Sequence, residues 1–211
     1  MGSALSRPAR NSWPPMDAGG GPAALSGGAS LSAHKILIAG GFGAGKTTLV
    51  STISEVRPLR TEETLTTASA GHDDLRGVGA KTTTTVALDF GRITISSRVV
   101  LYLFGMPGQE RFSFMWDELC YGALGAVVLA DVRRLDTSFP AVDYFEGRDL
   151  PFIVAINCFD DAPRYDTAEV RNALDLGHGV PVVLFDARQS GSVKDVLINL
   201  VECVVTRRSK M

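Results

Sequence analysis

The sequence predicts an α/β domain built on a doubly wound, mostly parallel sheet with helices on both faces. Short runs rich in Val, Ile and Leu, such as KILIAG and PFIVAIN, alternate with longer amphipathic stretches such as SVKDVLINLVECVV. Strands that are apolar along their whole length are typical of parallel sheets covered on both faces. A glycine-rich segment, GGFGAGKTT at residues 40–48, separates the first apolar run from the first helical pattern and marks a strand–loop–helix unit.

Each predicted strand is a short apolar run, and each predicted helix repeats apolar residues at helical spacing. The predicted strands are, in order, KILIAG, VALDFGRITI, VVLYLF, GAVVLA, PFIVAIN and PVVLFDA. The predicted helices are TTLVSTIS, FMWDELCYG, FPAVDYFE, TAEVRNALDL and SVKDVLINLVECVV. We expect Asp166 or Thr167 to cap the fourth helix and Ser190 or Ser192 to cap the last, because such side chains accept hydrogen bonds from the first helical N–H groups.

Length and composition favour one domain with a tail at each end. The chain has 211 residues, of which 45% are hydrophobic, enough for a single buried core. Residues 1–33 are rich in Gly, Pro, Ser and Ala without a periodic apolar pattern, so we expect a disordered tail there. The domain is then expected at 34–206, followed by a C-terminal tail at 207–211.

Charge, hydropathy and cysteine content exclude several classes of function. A formal net charge of −2 gives no general attraction to nucleic acid. No apolar run reaches the roughly 18–20 residues that cross a bilayer, so direct membrane insertion is not expected. Cys120, Cys158 and Cys203 are far apart in apolar surroundings, which fits reduced thiols better than disulfides or a metal site.

The segment GGFGAGKTT fits the phosphate-binding pattern G-x-x-x-x-G-K-[ST] at Gly40, Gly45, Lys46 and Thr47. The backbone N–H groups of such a loop, with the helix N-terminus behind them, surround a β-phosphate. Lys46 is then expected to reach the β- and γ-phosphates as a catalytic group, and Thr47 to bind Mg²⁺. The predicted nucleotide contacts along this loop are Gly40, Gly41, Phe42, Gly43, Ala44, Gly45, Lys46, Thr47 and Thr48. A chance glycine-rich turn is the alternative, and the strand–loop–helix context disfavours it.

The run LFGMPGQERF, residues 103–112, resembles the switch II segment of Ras-like small GTPases, whose pattern is D-x-x-G-Q-E-R-F. The resemblance implies that Gly108 donates its backbone N–H to the γ-phosphate and that Gln109 is a catalytic residue that orients the attacking water. The family's magnesium-supporting aspartate falls on Gly105 here. Because that aspartate acts largely through a metal-bound water, we expect its loss to weaken affinity by about 10–100-fold and nucleotide binding to survive.

The threonine run in KTTTTVALDF is similar to the family's switch I, in which one threonine binds Mg²⁺ and senses the γ-phosphate. The alignment favours Thr85 as the metal and nucleotide contact, with Thr84 second; a β-prone edge strand is the alternative. The chain between Lys46 and Thr85 is longer than in Ras, which predicts an extended, mobile switch I. No arginine stands beside Thr85 in the sequence. Arg60 and Arg76 are the nearby candidates for an arginine acting in cis, and a solvated position is the alternative for both.

The run INCFD, residues 156–160, resembles the family's N-K-x-D motif for the base, with Asn157 and Asp160 in place and Cys158 where lysine is usual. A carboxylate placed to accept from guanine N1–H and the 2-amino group rejects adenine, because its buried acceptor would go unpaired. The run FDAR, residues 185–188, is similar to the family's S-A-K loop and implies that the N–H of Ala187 contacts guanine O6. We therefore expect GTP or GDP, with Mg²⁺, as ligands.

Taken together, residues 34–206 resemble the Ras-like small GTPases encoded in actinobacterial conservons, on the runs KILIAGGFGAGKTT, KTTTTVALDFGRI, LYLFGMPGQERF and PFIVAINCFD. The related gliding-motility polarity GTPases of bacteria also lack the aspartate and keep P-G-Q. The resemblance implies a GTP/GDP-dependent switch in signal transduction that hydrolyses GTP slowly and with a partner's help. It implies contact with a Roadblock/LC7-type protein, and with the sensor histidine-kinase-like and DUF742 proteins of the same operon. A bacterial cytoplasmic protein, peripheral to the membrane through that sensor complex, is the corresponding expectation.

Two other functions stay open at this point. The chain is a nucleotide-loaded scaffold without turnover if Gly105 and Phe42 abolish hydrolysis, although Gln109 would then have no chemical role. Phe42 alternatively covers the phosphate loop from outside, without effect on the rate. A P-loop ATPase or nucleoside kinase is the other candidate, and Asn157 and Asp160 weigh against it because they favour guanine.

Overall fold

The computed structural model describes residues 31–57, 59–66, 83–108 and 110–209. Residues 1–30, almost all of the expected N-terminal tail, lie outside this part, as do residues 210–211. The first strand begins at Ser32, two residues before the expected start of the domain, and the last helix continues to Arg208. Among the described residues, no helix has both the length and the apolar character needed to cross a membrane.

The described chain forms seven strands in one sheet, together with five α-helices and two 3₁₀-helical segments. The strands are β1 (Ser32–Gly40), β2 (Leu59–Thr66), β3 (Thr83–Ser96), β4 (Val99–Gly105), β5 (Ala123–Ala130), β6 (Phe152–Asn157) and β7 (Val182–Phe185). The helices are α1 (Lys46–Ile53), α2 (Trp116–Cys120), α3 (Phe139–Glu146), α4 (Thr167–Ala173) and α5 (Ser190–Arg208), and the 3₁₀ segments are Glu110–Met115 and Val132–Ser138.

The strand order is β2-β3-β4-β1-β5-β6-β7. β1 pairs in parallel with β4 and β5, and the parallel ladder continues from β5 through β6 to β7. β3 pairs antiparallel with both β2 and β4. The sheet is therefore mostly parallel, as predicted, and its antiparallel part is confined to one end.

The two faces of the sheet carry separate apolar cores. Four consecutive residues of β1, Ile36 to Ala39, have no exposed surface, and alternate members face opposite sides of the sheet. Ile36 and Ile38 pack with residues of α1 and α5. Leu37 and Ala39 pack with residues of α2, α3 and α4. The sequence prediction of helices on both faces is confirmed, and continuous Val, Ile and Leu runs follow from this double coverage.

One predicted helix cap is confirmed and the other is wrong. Asp166 caps α4 in a capping box, in which its side chain accepts from the N–H of Glu169 and the Glu169 side chain accepts from the N–H of Asp166. The cap of α5 is Gln189, without a side-chain cap bond. Ser192 does not cap the helix, because its hydroxyl accepts a hydrogen bond of 3.0 Å from the N–H of Asp186 in the preceding loop.

The sequence predicts a long, mobile switch I between Lys46 and Thr85. This prediction is wrong for residues Leu59–Thr66, which form β2. This strand, which contains Arg60, pairs along its whole length with β3. Strand pairing satisfies the backbone N–H and C=O groups that a loop would leave to solvent. Residues 67–82, the rest of the segment with Arg76, lie outside the described residues.

Candidate functional site

The carboxyl ends of the parallel strands bring the predicted motifs to one edge of the sheet. β1 ends at Gly40, β4 at Gly105, β6 at Asn157 and β7 at Phe185. β1 lies between β4 and β5, so the order of the chain reverses beside it. Open α/β sheets bind ligands in the crevice at such a reversal, and the glycine-rich loop that follows β1 lies there.

The glycine-rich loop, residues 41–45, connects β1 to α1 and folds back on the lysine at the start of the helix. The Nζ of Lys46 donates hydrogen bonds of 2.8 Å to the carbonyl oxygens of Gly40 and Gly41. Burial lowers the pKa of Lys46 to about 8, and the nearby Asp89 partly opposes this shift. A desolvated ammonium beside backbone N–H groups at a helix N-terminus suits an anionic ligand such as phosphate.

Gly108 lies directly against the phosphate loop. A Cβ at this position would lie 2.6 Å from the Nζ of Lys46 and 2.7 Å from the carbonyl oxygen of Gly40, so only glycine fits. The indole Nε1 of Trp116 donates to the carbonyl oxygen of Pro107 at 3.3 Å and holds the preceding residue. Gly108 thus lies against the loop, and its contact with a γ-phosphate stays a prediction. Gln109 lies outside the described residues.

Asp89 in β3 is a functional candidate that the sequence analysis missed. Its Oδ2 accepts a hydrogen bond of 2.6 Å from the Oγ1 of Thr47, and Asp89 pairs in register with Gly105 across the β3–β4 ladder. A Cβ on Gly105 would lie 2.9 Å from the Cβ of Asp89 and 3.1 Å from its Oδ2. Asp89 therefore fills the space that an aspartate at 105 would take. In the sequence, Asp89 lies in the run KTTTTVALDF, four residues after the threonine that is predicted to bind the metal.

The oxygens of Thr47 and Asp89 fit the donor preference of Mg²⁺, which takes hard oxygen ligands and often only one or two carboxylates. Within the described ranges, no group of three or more His, Cys, Asp or Glu side chains could hold a metal ion by itself. Thr85, the other predicted ligand, lies inside β3, where its backbone pairs with Thr64 of β2.

Asn157 joins the phosphate loop to the loop after β7. Its side chain is buried, donates from Nδ2 to the carbonyl oxygen of Ala44 at 3.1 Å, and accepts at Oδ1 from the N–H of Ala187 at 3.1 Å. Thr52 of α1 donates to the carbonyl oxygen of Ala187 at 2.7 Å. The predicted phosphate and base loops are thus one hydrogen-bonded unit. The N–H that was expected to contact guanine O6 is engaged by Asn157 in this structure.

Asp160, the predicted base-reading carboxylate, is bound by an arginine from the loop after β7. Arg188 donates to both carboxylate oxygens of Asp160, at 2.6 and 2.8 Å, and also bonds Asp186. Hydrogen bonds from Arg188 lower the pKa of both carboxyl groups. Cys158, between Asn157 and Asp160, is partly buried and its N–H donates to the carbonyl oxygen of Phe185 at 2.8 Å. The two base motifs are therefore joined by the ion pair between Arg188 and Asp160.

Two consecutive arginines after β5, which the sequence analysis also missed, reach opposite parts of the site. Arg133 donates to Asp161 at 2.8 Å and stacks 3.9 Å from the centre of the Phe159 ring, beside the base motif. Arg134 donates from Nη2 to the carbonyl oxygen of Phe42 at 2.8 Å. The side chain of Phe42 is 71% exposed and therefore stands outside the phosphate loop. A run of two arginines carries no motif, so only the fold reveals these contacts.

The phosphate loop, the base loops and most of the surrounding core fall within one family match. Residues 38–207 match the model of a protein family described as a conserved hypothetical ATP binding protein. The chain belongs to this family. The description of the family names ATP as the ligand.

Sequence relatives of this chain include an uncharacterized protein and Ras-related proteins. An uncharacterized protein of Methanocaldococcus jannaschii is 28% identical over 140 residues, which cover 65% of this chain and 77% of that protein. The Ras-related protein SEC4 of Candida albicans is 27% identical over 131 residues, which cover 57% of this chain. The aligned region spans 62% of the length of SEC4.

Solved structures show that this chain has the fold of a G domain. The G domain of the T. maritima FeoB iron transporter superposes with a TM-score of 0.57 and 19% identity, over 82% of this chain and 99% of that one. The FeoB G-domain of Methanococcus jannaschii gives a TM-score of 0.56 and 12% identity, over 82% of this chain and 99% of that one. At such identities the likeness is one of fold.

Proposed function

We propose that this protein is a small-GTPase-like switch that binds GTP and GDP with Mg²⁺ and hydrolyses GTP slowly to GDP and phosphate. The observation that carries the proposal is the buried Asn157, whose side chain bonds both the phosphate loop at Ala44 and the base loop at Ala187. A nucleotide has its phosphates and base at opposite ends, and this contact fixes the two corresponding loops to each other. Asp160 lies at the base end of the same unit.

The phosphate end supports binding of a di- or triphosphate. Lys46 and the loop N–H groups would hold the phosphate oxygens, and Gly108 is close enough to the loop to add its backbone N–H to a γ-phosphate. The hydroxyl of Thr47 donates a hydrogen bond to Asp89, which leaves the lone pairs of the hydroxyl oxygen available to a metal. Thr47 and Asp89 are the residues that would hold Mg²⁺, whose positive charge would offset the negative charge of the phosphates.

Hydrolysis in this proposal depends on Gln109. The residue orients a water whose oxygen attacks the γ-phosphorus; the bond to the bridging oxygen breaks, GDP leaves, and the water's protons pass to the phosphate and solvent. An arginine that completes the charge stabilisation accelerates such sites by several orders of magnitude. Arg134 lies beside the loop but is bonded to the carbonyl oxygen of Phe42, so we expect unaided turnover below about 10⁻² s⁻¹.

Binding of ATP is the second candidate, and two observations favour it. The family is described as an ATP binding protein, and Asp160 is engaged by Arg188 rather than open. Guanine is preferred here because Asp160 remains largely exposed and its carboxylate matches guanine's two donors, which adenine lacks. The cytosolic domain of T. maritima FeoB, which has this fold with a TM-score of 0.59 and 20% identity, was solved in a GDP form.

We further propose that the protein works in a conservon-type signalling complex. Its partners would be a Roadblock/LC7-type protein, a sensor histidine-kinase-like protein and a DUF742 protein, and its location cytoplasmic and peripheral to the membrane through the sensor. Support for this comes from the sequence runs around the phosphate loop and P-G-Q. A Roadblock/LC7 partner that binds the switch segments would read the nucleotide state.

Single-turnover hydrolysis of Mg·GTP by the full chain tests the proposed function. The measurement is made with and without the Roadblock/LC7 protein, beside Gln109→Ala and a parallel ATP control. We expect phosphate release that requires Gln109, rises with the partner and is at least tenfold faster with GTP than with ATP. Tight GTP binding without phosphate release under any condition would contradict the enzyme and support the scaffold. Equal or faster release from ATP would support the ATPase.

A further inference from the structure

Arg188 is clamped between two carboxylates at the base end of the site. Its Nη1 and Nη2 donate to the two oxygens of Asp160, and its Nε and Nη2 donate to the two oxygens of Asp186 at 2.9 and 2.8 Å. Four of the five guanidinium N–H groups are therefore used. Such fork-to-carboxylate pairing is the strongest and most directional geometry that arginine adopts.

The guanidinium offers Asp160 the same pair of donors that guanine would offer. The base-reading contact expected of Asp160 is two parallel N–H groups, guanine N1–H and the 2-amino group, and each binds one carboxylate oxygen. Arg188 supplies two parallel N–H groups to the same two oxygens. A bidentate ligand on Asp160 and a bidentate Arg188 therefore compete for one edge of the carboxylate.

We propose that Arg188 is an internal competitor of guanine, which holds the base-reading edge of Asp160 and must leave it before a guanine nucleotide binds. The inference rests on the proposed guanine-nucleotide function and adds to it a residue that sets affinity and base selectivity. The competent fraction of the protein is the fraction with the Arg188–Asp160 pair open, and the apparent dissociation constant rises as that fraction falls.

The surroundings of Arg188 allow its pair with Asp160 to open while the Arg188 side chain stays in place. Asp186 is only 15% exposed and is itself fixed, because its N–H donates to Ser192 and its carboxylate accepts from Gln189. Asp160, in contrast, is 78% exposed, so solvent screens its pair with Arg188 more than it screens the pair with Asp186. Arg188 can release Asp160 and remain bonded to Asp186.

The competition acts on guanine and not on adenine. Adenine has no pair of donors for Asp160, so an adenine nucleotide can bind while Arg188 keeps its contact. The pair with Arg188 therefore weakens guanine nucleotides selectively and narrows the preference over adenine. This gives a physical reason for arginine, rather than a residue without a forked donor, at position 188.

Equilibrium titration of the full chain with Mg·GDP and with Mg·ADP tests the inference. The variants are Arg188→Gln, Arg188→Lys, Asp160→Ala and Arg164→Gln. Lysine at 188 keeps the charge but lacks the fork, so it separates donor pairing from electrostatics. Arg164 influences Asp160 through charge alone, and its substitution is the matched control. An ADP affinity that stays at the wild-type value shows that each variant retains a folded site.

We expect both Arg188 variants to bind GDP about two- to fivefold more tightly than wild type, the range of an exposed pair with good geometry. ADP affinity should stay unchanged, and Arg164→Gln should resemble wild type. Equal or weaker GDP binding by the Arg188 variants would overturn the inference, as would an equal gain with Arg164→Gln. If Asp160→Ala loses GDP binding in those cases, the guanine function stands. Equal affinities of wild type for GDP and ADP, unaffected by Asp160→Ala, would overturn the proposed function itself.

Discussion

At the phosphate end of the site the contacts of Lys46 and Thr47 are partly buried, whereas at the base end the contact between Arg188 and Asp160 is exposed to solvent. Lys46 and Thr47 are partly buried and bond to the backbone or to Asp89. Arg188 and Asp160 are 54% and 78% exposed and bond to each other. Exposed ion pairs contribute about 0.2–1 kcal/mol and are screened by salt. The phosphate end is therefore preorganised, while the base end is adjustable.

This contrast suggests a division of work between the two ends. A loop of backbone N–H groups binds phosphates of any nucleotide, so it supplies affinity with little choice of base. We expect the base end to supply the choice through its side chains. Its sequence departs from the Ras-like pattern at Cys158, Asp186 and Arg188. Asn157, which joins the two ends, is buried.

The largest effect is expected on removal of the link between the two ends. Asn157→Ala leaves the carbonyl of Ala44 and the N–H of Ala187 without their partner in a buried place, which should reduce the free energy of unfolding by about 2–4 kcal/mol. Asn199→Ala is the matched control, because Asn199 donates only to a backbone carbonyl of its own helix; we expect a change below about 0.5 kcal/mol. Urea unfolding measures both, and equal effects would show that Asn157 is not a structural link.

The next prediction concerns magnesium binding at the phosphate end, and it uses substitutions in β3 and β4. Asp89→Asn should weaken Mg²⁺ binding to the GDP complex by about 10–100-fold, with GDP affinity in EDTA unchanged. Gly105→Asp alone should destabilise the protein, because its Cβ would lie 2.9 Å from that of Asp89. The double variant Asp89→Gly with Gly105→Asp should recover most of the magnesium affinity. Normal magnesium affinity in Asp89→Asn would show that this carboxylate does not support the metal.

A smaller effect is expected at the phosphate end, where nucleotide binding should change the protonation of Lys46. The pKa of Lys46 is about 8 without nucleotide, and phosphate favours its charged form, so binding should take up about half a proton at pH 8. GDP affinity should be full below pH 8 and fall as the pH rises above it. Calorimetry in two buffers of different ionisation enthalpy measures the uptake. Lys46→Arg, which stays charged, should take up none; wild-type binding without proton uptake would contradict the account.

The sequence predicts the phosphate loop and the position of Gly108 because both are short motifs whose geometry is local to the chain. It does not predict the Thr47–Asp89 contact, because that contact depends on the register of β3 on β4, which places Asp89 opposite Gly105. It also does not predict the Arg188–Asp160 pair, which joins two loops through side chains. The predicted cap at Ser192 fails for the same reason, since its hydroxyl bonds the loop instead of the helix.

The measurement that tests the central claim most directly is a competition titration of the full chain with Mg·GTP, Mg·GDP, Mg·ATP and Mg·ADP. The phosphate end binds all four, so any preference reports the base end alone. The account predicts that guanine nucleotides bind at least about tenfold more tightly than adenine nucleotides, because only guanine has the donors for Asp160. Equal binding, or tighter binding of adenine nucleotides, would contradict it.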